Sequence, residues 1–102
     1  MYKLIVTEAA HQDLDNIVAY ISVQLSNPKS AGEFANAVTA CHGFLKNNPV
    51  MYERCQDGRL RQEGYRKAVI KNYVLVYKIN EASKTVSIMR FFYGAQDYTN
   101  LI

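Results

Sequence analysis

The chain has 102 residues, 49 % of them hydrophobic and 21 % charged, with a formal net charge of +3 and two cysteines. That length suits one domain with one substantial core, and the composition is that of a soluble folded protein rather than a disordered one. No apolar run approaches the ~20 residues of a membrane span, Met1–Val6 is too short for a secretory h-region, and two cysteines make neither a disulfide framework nor a zinc site; the expected location is the cytoplasm.

Tyr2–Thr7 is a short apolar run containing Ile5 and Val6, which predicts a strand, and Thr7 can cap the helix that follows. From Glu8 to about Leu25, the apolar residues Leu14, Ile17, Val18, Ile21 and Leu25 fall on one helical face. Asn27-Pro28 breaks that pattern, with the proline placed to open a second helix. This second helix runs to about Lys46 through Ala31, Phe34, Ala35, Val38, Cys41, His42 and Leu45. Small residues at Ala31, Gly32 and Ala35 are expected to let the two helices approach. Cys41 and His42 read as packed residues on its apolar face, and His11 reads as solvated.

Residues 50–64 have no clear period and predict a loop with one helical turn around Arg59–Glu63. Cys55 falls within it, where exposure is expected. Tyr65–Ile70 predicts the next strand and Lys71-Asn72 a two-residue hairpin turn. Tyr73, Leu75, Tyr77 and Ile79 alternate with Val74, Val76 and Lys78. After a turn at Asn80–Lys84, Val86, Ile88, Arg90 and Phe92 alternate with Ser87, Met89, Phe91 and Tyr93. The fold class is therefore α+β: an N-terminal strand, a two-helix hairpin covering one sheet face, and a three-stranded antiparallel meander. The other face, or a groove beside it, is expected to remain available.

Charge is unevenly distributed. Residues 1–50 hold three lysines against four carboxylates, whereas residues 51–102 hold nine basic residues against five. Arg54, Arg59, Arg61, Arg66, Lys67 and Lys71 cluster with only Asp57 and Glu63. Such a cluster suits a phosphate backbone or an acidic partner, and it also suits a solvated sheet edge.

Taken together and in order, several short motifs resemble the RelE/ParE superfamily of type II toxin–antitoxin toxins. These are Asp13-Leu14-x-x-Ile17-x-x-Tyr20-Ile21, Asn27-Pro28, Gly64-Tyr65-Arg66-Lys67, Asn72-Tyr73-x-x-x-Tyr77 and Met89-Arg90-Phe91-Phe92-Tyr93-Gly94-x-x-Asp97-Tyr98. The resemblance implies a single toxin domain over 1–102, no cofactor and no metal, and a cognate antitoxin that wraps it. It allows two activities: cleavage of messenger RNA on the ribosome, as in RelE-like members, or poisoning of DNA gyrase without hydrolysis, as in ParE-like members. Fold alone does not choose between them.

RNA cleavage needs cations for the phosphorane charge together with an acid and a base. The candidate catalytic residues are Arg66, Arg90 and Tyr93. Several basic positions of the RelE-like pattern are replaced here: Val74 stands where that pattern has an arginine, Ala95-Gln96 where it has a basic pair, and Tyr93 where histidine often precedes the glycine. A gyrase poison needs a binding surface instead, and the candidate target-binding residues are Arg59, Arg61, Arg66, Lys67, Arg90, Tyr93 and Tyr98. The overall pattern is closer to the ParE-like branch. A nucleic-acid-binding module without toxicity is the remaining alternative. Arg90 is also expected to serve structurally, paired with a carboxylate such as Asp97.

Overall fold

The structure, a computed structural model, describes residues 1–102. Strand β1 (Lys3–Val6) leads through Thr7 into helix α1 (Glu8–Ala19). Thr7 has two partners: its Oγ1 accepts from the Ala10 N–H at 3.1 Å and donates to the Met89 carbonyl at 2.9 Å. The cap that starts the helix thus also ties it to the last strand. The 3.6-residue apolar pattern continues to Leu25, but the helix widens over Tyr20–Gln24 into a π-helical turn, closed by Leu25 N–H on the Tyr20 carbonyl. Asn27 then caps helix α2 (Pro28–Asn47), its side chain accepting from Ser30 N–H at 3.1 Å. A 3-10 turn over Pro49–Met51 comes next, and Asp57 caps the short helix α3 (Gly58–Gln62). Gly64, at φ 86°, ends α3 in the left-handed conformation that favours glycine.

Strands β2 (Arg66–Ile70), β3 (Tyr73–Asn80) and β4 (Thr85–Tyr93) form the expected antiparallel meander. β1 joins it as a parallel neighbour of β4, giving the order β1-β4-β3-β2. Since β1 pairs only with Thr85–Ile88, the edge of β4 from Met89 onward has no strand beside it.

The β4 alternation differs from the sequence reading. Val76 lies opposite Arg90 and Tyr77 opposite Ile88, so Met89 is an extra residue in a bulge. Strict alternation forbids Ile88 and Phe91, three positions apart, from sharing a face. The bulge resolves this by letting both pack against the helices and by moving Arg90 and Phe92 off the face of Val86 and Ile88.

Two apolar clusters lie on the two sides of the sheet. The inner one joins Phe34, Val38 and Leu45 of α2 to Ala68, Leu75, Tyr77, Val86, Ile88 and Phe91. Each large side chain buried there contributes about 1.5–3 kcal/mol. The outer one joins Cys55, Leu60, Tyr65, Val74, Val76 and Phe92, with Met89, Tyr98 and Ile102 packed on it. The outer sheet face is therefore largely covered by α3 and by the chain after β4. Cys55 is buried rather than open to solvent. Among the small residues of α2, Ala31 is buried at the packed side, whereas Gly32 is exposed with open space around it and does not mediate helix approach. No helix is long and apolar enough to cross a membrane.

Candidate functional site

The free edge of β4 and the end of α1 enclose the main groove of the molecule, about 670 Å³. Asn16 and Ile17 of α1 with Tyr20 of the π-helical turn form one wall, Tyr73, Phe91 and Tyr93 the other, and Leu25, Gln96 and Leu101 the rim. A smaller hollow of about 260 Å³ continues it past Leu25, Asn72 and Tyr73 to Asn27 and Lys71. The π-helical turn matters here, because it carries Tyr20 at 50 % exposure over the groove that Tyr93, at 53 %, faces from β4. Tyr73 lies between two aromatic neighbours, tilted against Phe34 at 5.0 Å and edge-on to Tyr93 at 5.8 Å. Burial, with the phenols of Tyr20 and Tyr93 alongside, pushes the Tyr73 phenol above its ordinary range. Tyr73 is thus a neutral hydrogen-bonding group at physiological pH, and the groove is an aromatic trough with amide side chains at its lip.

At the closed end, Asp13 of α1 holds Arg90 of β4 in a two-point ion pair. Arg90 Nε donates to Asp13 Oδ2 at 2.6 Å and Nη2 donates to Oδ1 at 3.0 Å. The Phe91 N–H also donates to Asp13 Oδ2, at 3.0 Å, so the carboxylate fills the place a neighbouring strand's carbonyl would take. Hydrogen bonding to Asp13 raises the Arg90 pKa further. The guanidinium lies over the Phe92 ring at 4.9 Å and donates to the Leu101 carbonyl at 3.3 Å. The structural partner of Arg90 is therefore Asp13, not Asp97, whose side chain instead accepts from the Thr99 hydroxyl and N–H.

The remaining candidates are dispersed. Arg66 points to the helix side at the far edge of the sheet, where its Nη1 donates to the Tyr52 carbonyl at 2.6 Å. Beside it, the Tyr77 hydroxyl donates to the Pro49 carbonyl at 2.5 Å, and burial raises the Tyr77 pKa strongly. These two bonds fasten the loop after α2 to the sheet. Arg59 bonds Glu63 at 2.7 Å and the carbonyls of Thr99 and Ile102 at 2.6 and 2.9 Å. Tyr98 stacks on Phe92 on the outer face at 4.9 Å, with its pKa raised by burial. Lys67 faces outward beside Val76, and Arg61 is exposed on α3. Only Arg90 and Tyr93 share the groove. Sequence reasoning missed Tyr20, Tyr73, Asn16, Asn72 and Leu25 as groove residues. The available signals were Tyr20 within its helix motif and Asn72-Tyr73 directly after the hairpin turn.

A second hollow, about 470 Å³, lies between α1 and α2, lined by Leu14, Val18, Val23, Ala35, Val38 and His42. His42 Nε2 is buried there without a hydrogen-bond partner. Desolvation first, then the charges of Lys46 and His11, lower its pKa. The folded state thus disfavours the proton that the unfolded chain takes up near pH 6.5. Stability from this residue is complete above about pH 6.5 and declines as pH falls toward the lower folded value. Denaturant titrations are expected to show a drop in stability between neutral and mildly acidic pH, and the drop is expected to shrink in His42→Phe.

A helical hairpin on one face of a four-stranded sheet, with an arginine anchored near the end of the last strand, defines the chain as a small α+β protein of one sheet and one helical layer. The family profile described as "ParE toxin of type II toxin-antitoxin system, parDE" matches residues 4–98, and the chain belongs to that family. No curated protein matches the sequence. Among solved structures, the chromosomal ParDE system from P. aeruginosa aligns with a TM-score of 0.72 at 20 % identity, covering 91 % of this chain and 96 % of that one. The RelBE2 toxin–antitoxin complex of Mycobacterium tuberculosis aligns with a TM-score of 0.64 at 24 % identity, covering 90 % and 96 %. YafQ from E. coli gives 0.60 at 16 %, covering 93 % and 96 %. At these identities the structural likenesses establish the fold.

Proposed function

We propose that this ParE-family toxin inhibits growth by gripping DNA gyrase, and that a cognate antitoxin wraps and neutralises it. The observation that carries the first part is the state of the arginines. Arg90 is clamped by Asp13, Arg66 by the Tyr52 carbonyl, and Arg59 by Glu63 and two main-chain carbonyls. Phosphoryl-transfer chemistry on RNA needs cations preorganised toward the phosphate, and these three are already engaged by groups of the chain itself. Burial also raises the phenols of Tyr73 and Tyr98, so both stay protonated near neutral pH and are not available to take up a proton. What the groove offers a partner is aromatic contact area, the kind of surface that anchors protein interfaces.

The antitoxin reading is supported by relatives solved as ParDE and RelBE systems and by the apolar hollow between α1 and α2, on which Val23 is exposed. The test is expression without antitoxin, with translation and DNA synthesis followed separately. Early failure of DNA synthesis with filamentation is the expected result. Rapid loss of translation with cleavage of ribosome-bound messenger RNA would instead establish the RelE-like endonuclease reading.

A further inference from the structure

The cations that remain free after the ion pairs are assigned do not lie in the groove. Arg59, Lys84 and Arg90 are in salt bridges and Arg66 is held by a carbonyl. Of the eight other basic residues, none of which has a carboxylate partner, Lys3, Lys29, Lys46 and Lys71 are dispersed over the rest of the chain, whereas Arg61, Lys67 and Lys78 belong to the outer side of the sheet. Lys67 is paired across strands with Val76, an outer-cluster residue. Lys78 extends over the ring of Tyr65, another outer-cluster residue, at 4.6 Å. Arg61 follows Leu60, whose side chain is buried in that cluster. Lys67 and Lys78 are diagonal cross-strand neighbours two positions out of register, a spacing of about 7–8 Å. Arg54, also without an ion pair, adjoins the β2 edge through its bridge to Arg66. Of the carboxylates in residues 51–102, Glu63 is bonded to Arg59, Glu81 to Lys84 and Asp57 caps α3, while Asp97 accepts from Thr99 and, like Glu53, has no ion pair.

We infer that this cationic strip docks the phosphate backbone of duplex DNA, a binding activity separate from the aromatic groove. Charge complementarity gives the ligand class: unpaired lysines on β2 and β3, with Arg61 on the α3 that covers the same side, neutralise phosphates and release counterions. The aromatic distribution selects duplex over single strand. Single-stranded nucleic acid is held by stacking bases on exposed aromatic rings. On this face Tyr65 and Phe92 are buried, and Tyr98 is stacked against Phe92. The exposed aromatics lie elsewhere: Tyr20 and Tyr93 line the groove, and Phe44 is on α2. A face with cations and no free rings reads backbone, not bases. For a protein that acts on a topoisomerase, such a strip would bring it to the enzyme's own substrate.

Fluorescence anisotropy of the purified chain with a short labelled DNA duplex, without gyrase, tests the inference over a range of salt concentrations. The wild type is expected to show a log–log salt slope of about −3, from roughly three neutralised phosphates. Lys67→Glu and Lys78→Glu are each expected to flatten it by about 1 or more, and Lys29→Glu, on α2, to leave it unchanged. Lys78→Arg, which keeps the charge, is expected to keep the slope, and a thermal melt of every variant shows whether loss of the Tyr65 contact has disturbed the fold. A slope unaffected by Lys67 and Lys78 overturns the inference. So does tighter binding to single-stranded RNA, or to polyglutamate, than to the duplex at equal salt. None of these outcomes bears on gyrase inhibition, which is read separately.

Discussion

Asp13→Ala is expected to destabilise the fold by about 2–4 kcal/mol and to lower Tm by roughly 10–20 °C. The size reflects how many groups the carboxylate holds. Asp13 and Arg90 side chains are only 15 % and 31 % exposed, and the same carboxylate also accepts the Phe91 N–H. Removing it leaves a half-buried guanidinium without its counter-charge and an edge-strand donor without an acceptor. Orphaned groups of this kind cost more than the intact bond contributes. Arg90→Ala is expected to cost less, because Asp13 keeps the Phe91 N–H and becomes open to water. The double variant is expected to fall short of the sum of the two single effects by about 1–3 kcal/mol. Denaturant melts of the four proteins give the cycle directly, and strict additivity would show that the pair is not energetically coupled.

That pairing also marks how far the sequence could be read. Element order and turns were legible because their signals are local. Thr7, Asn27-Pro28 and Lys71-Asn72 each mark a boundary by their own side-chain chemistry, and the amphipathic stripe of α2 locates its buried face. Arg90 stood out as a charge among apolar residues, but its partner is 77 positions away in the chain, and no local pattern encodes that meeting. Asp97 was the nearer choice, and the bulge at Met89 defeats it. An extra residue rotates the remainder of β4, so Arg90 swings to the free edge of the strand, where α1 lies. The outer cluster was hidden for a similar reason. Cys55, Leu60 and Tyr65 lack a period because they come from a loop and one helical turn, and they become a core only under the chain after β4. Tyr98 and Ile102, four apart, were the visible hint that this stretch packs.

The groove carries the second large effect. Tyr20→Ala and Tyr93→Ala are each expected to reduce growth inhibition and binding to gyrase by about 30-fold, the effect of removing a hot-spot aromatic worth roughly 2 kcal/mol. Both rings are about half exposed, so neither truncation opens a cavity in the core, and the thermal melts should stay close to wild type. Tyr73→Ala is the contrasting case. Its ring packs against Phe34 in the inner core as well as against Tyr93, so it should lose stability and activity together. Tyr93→Phe separates the two rival mechanisms. If the ring grips a partner by apolar contact, the phenylalanine variant retains most of the activity. If the phenol moves a proton in RNA cleavage, that variant loses activity as fully as the alanine one while its fold is untouched. The pair Tyr93→Phe and Tyr93→Ala therefore tests whether the last strand of this toxin presents a surface or a reagent.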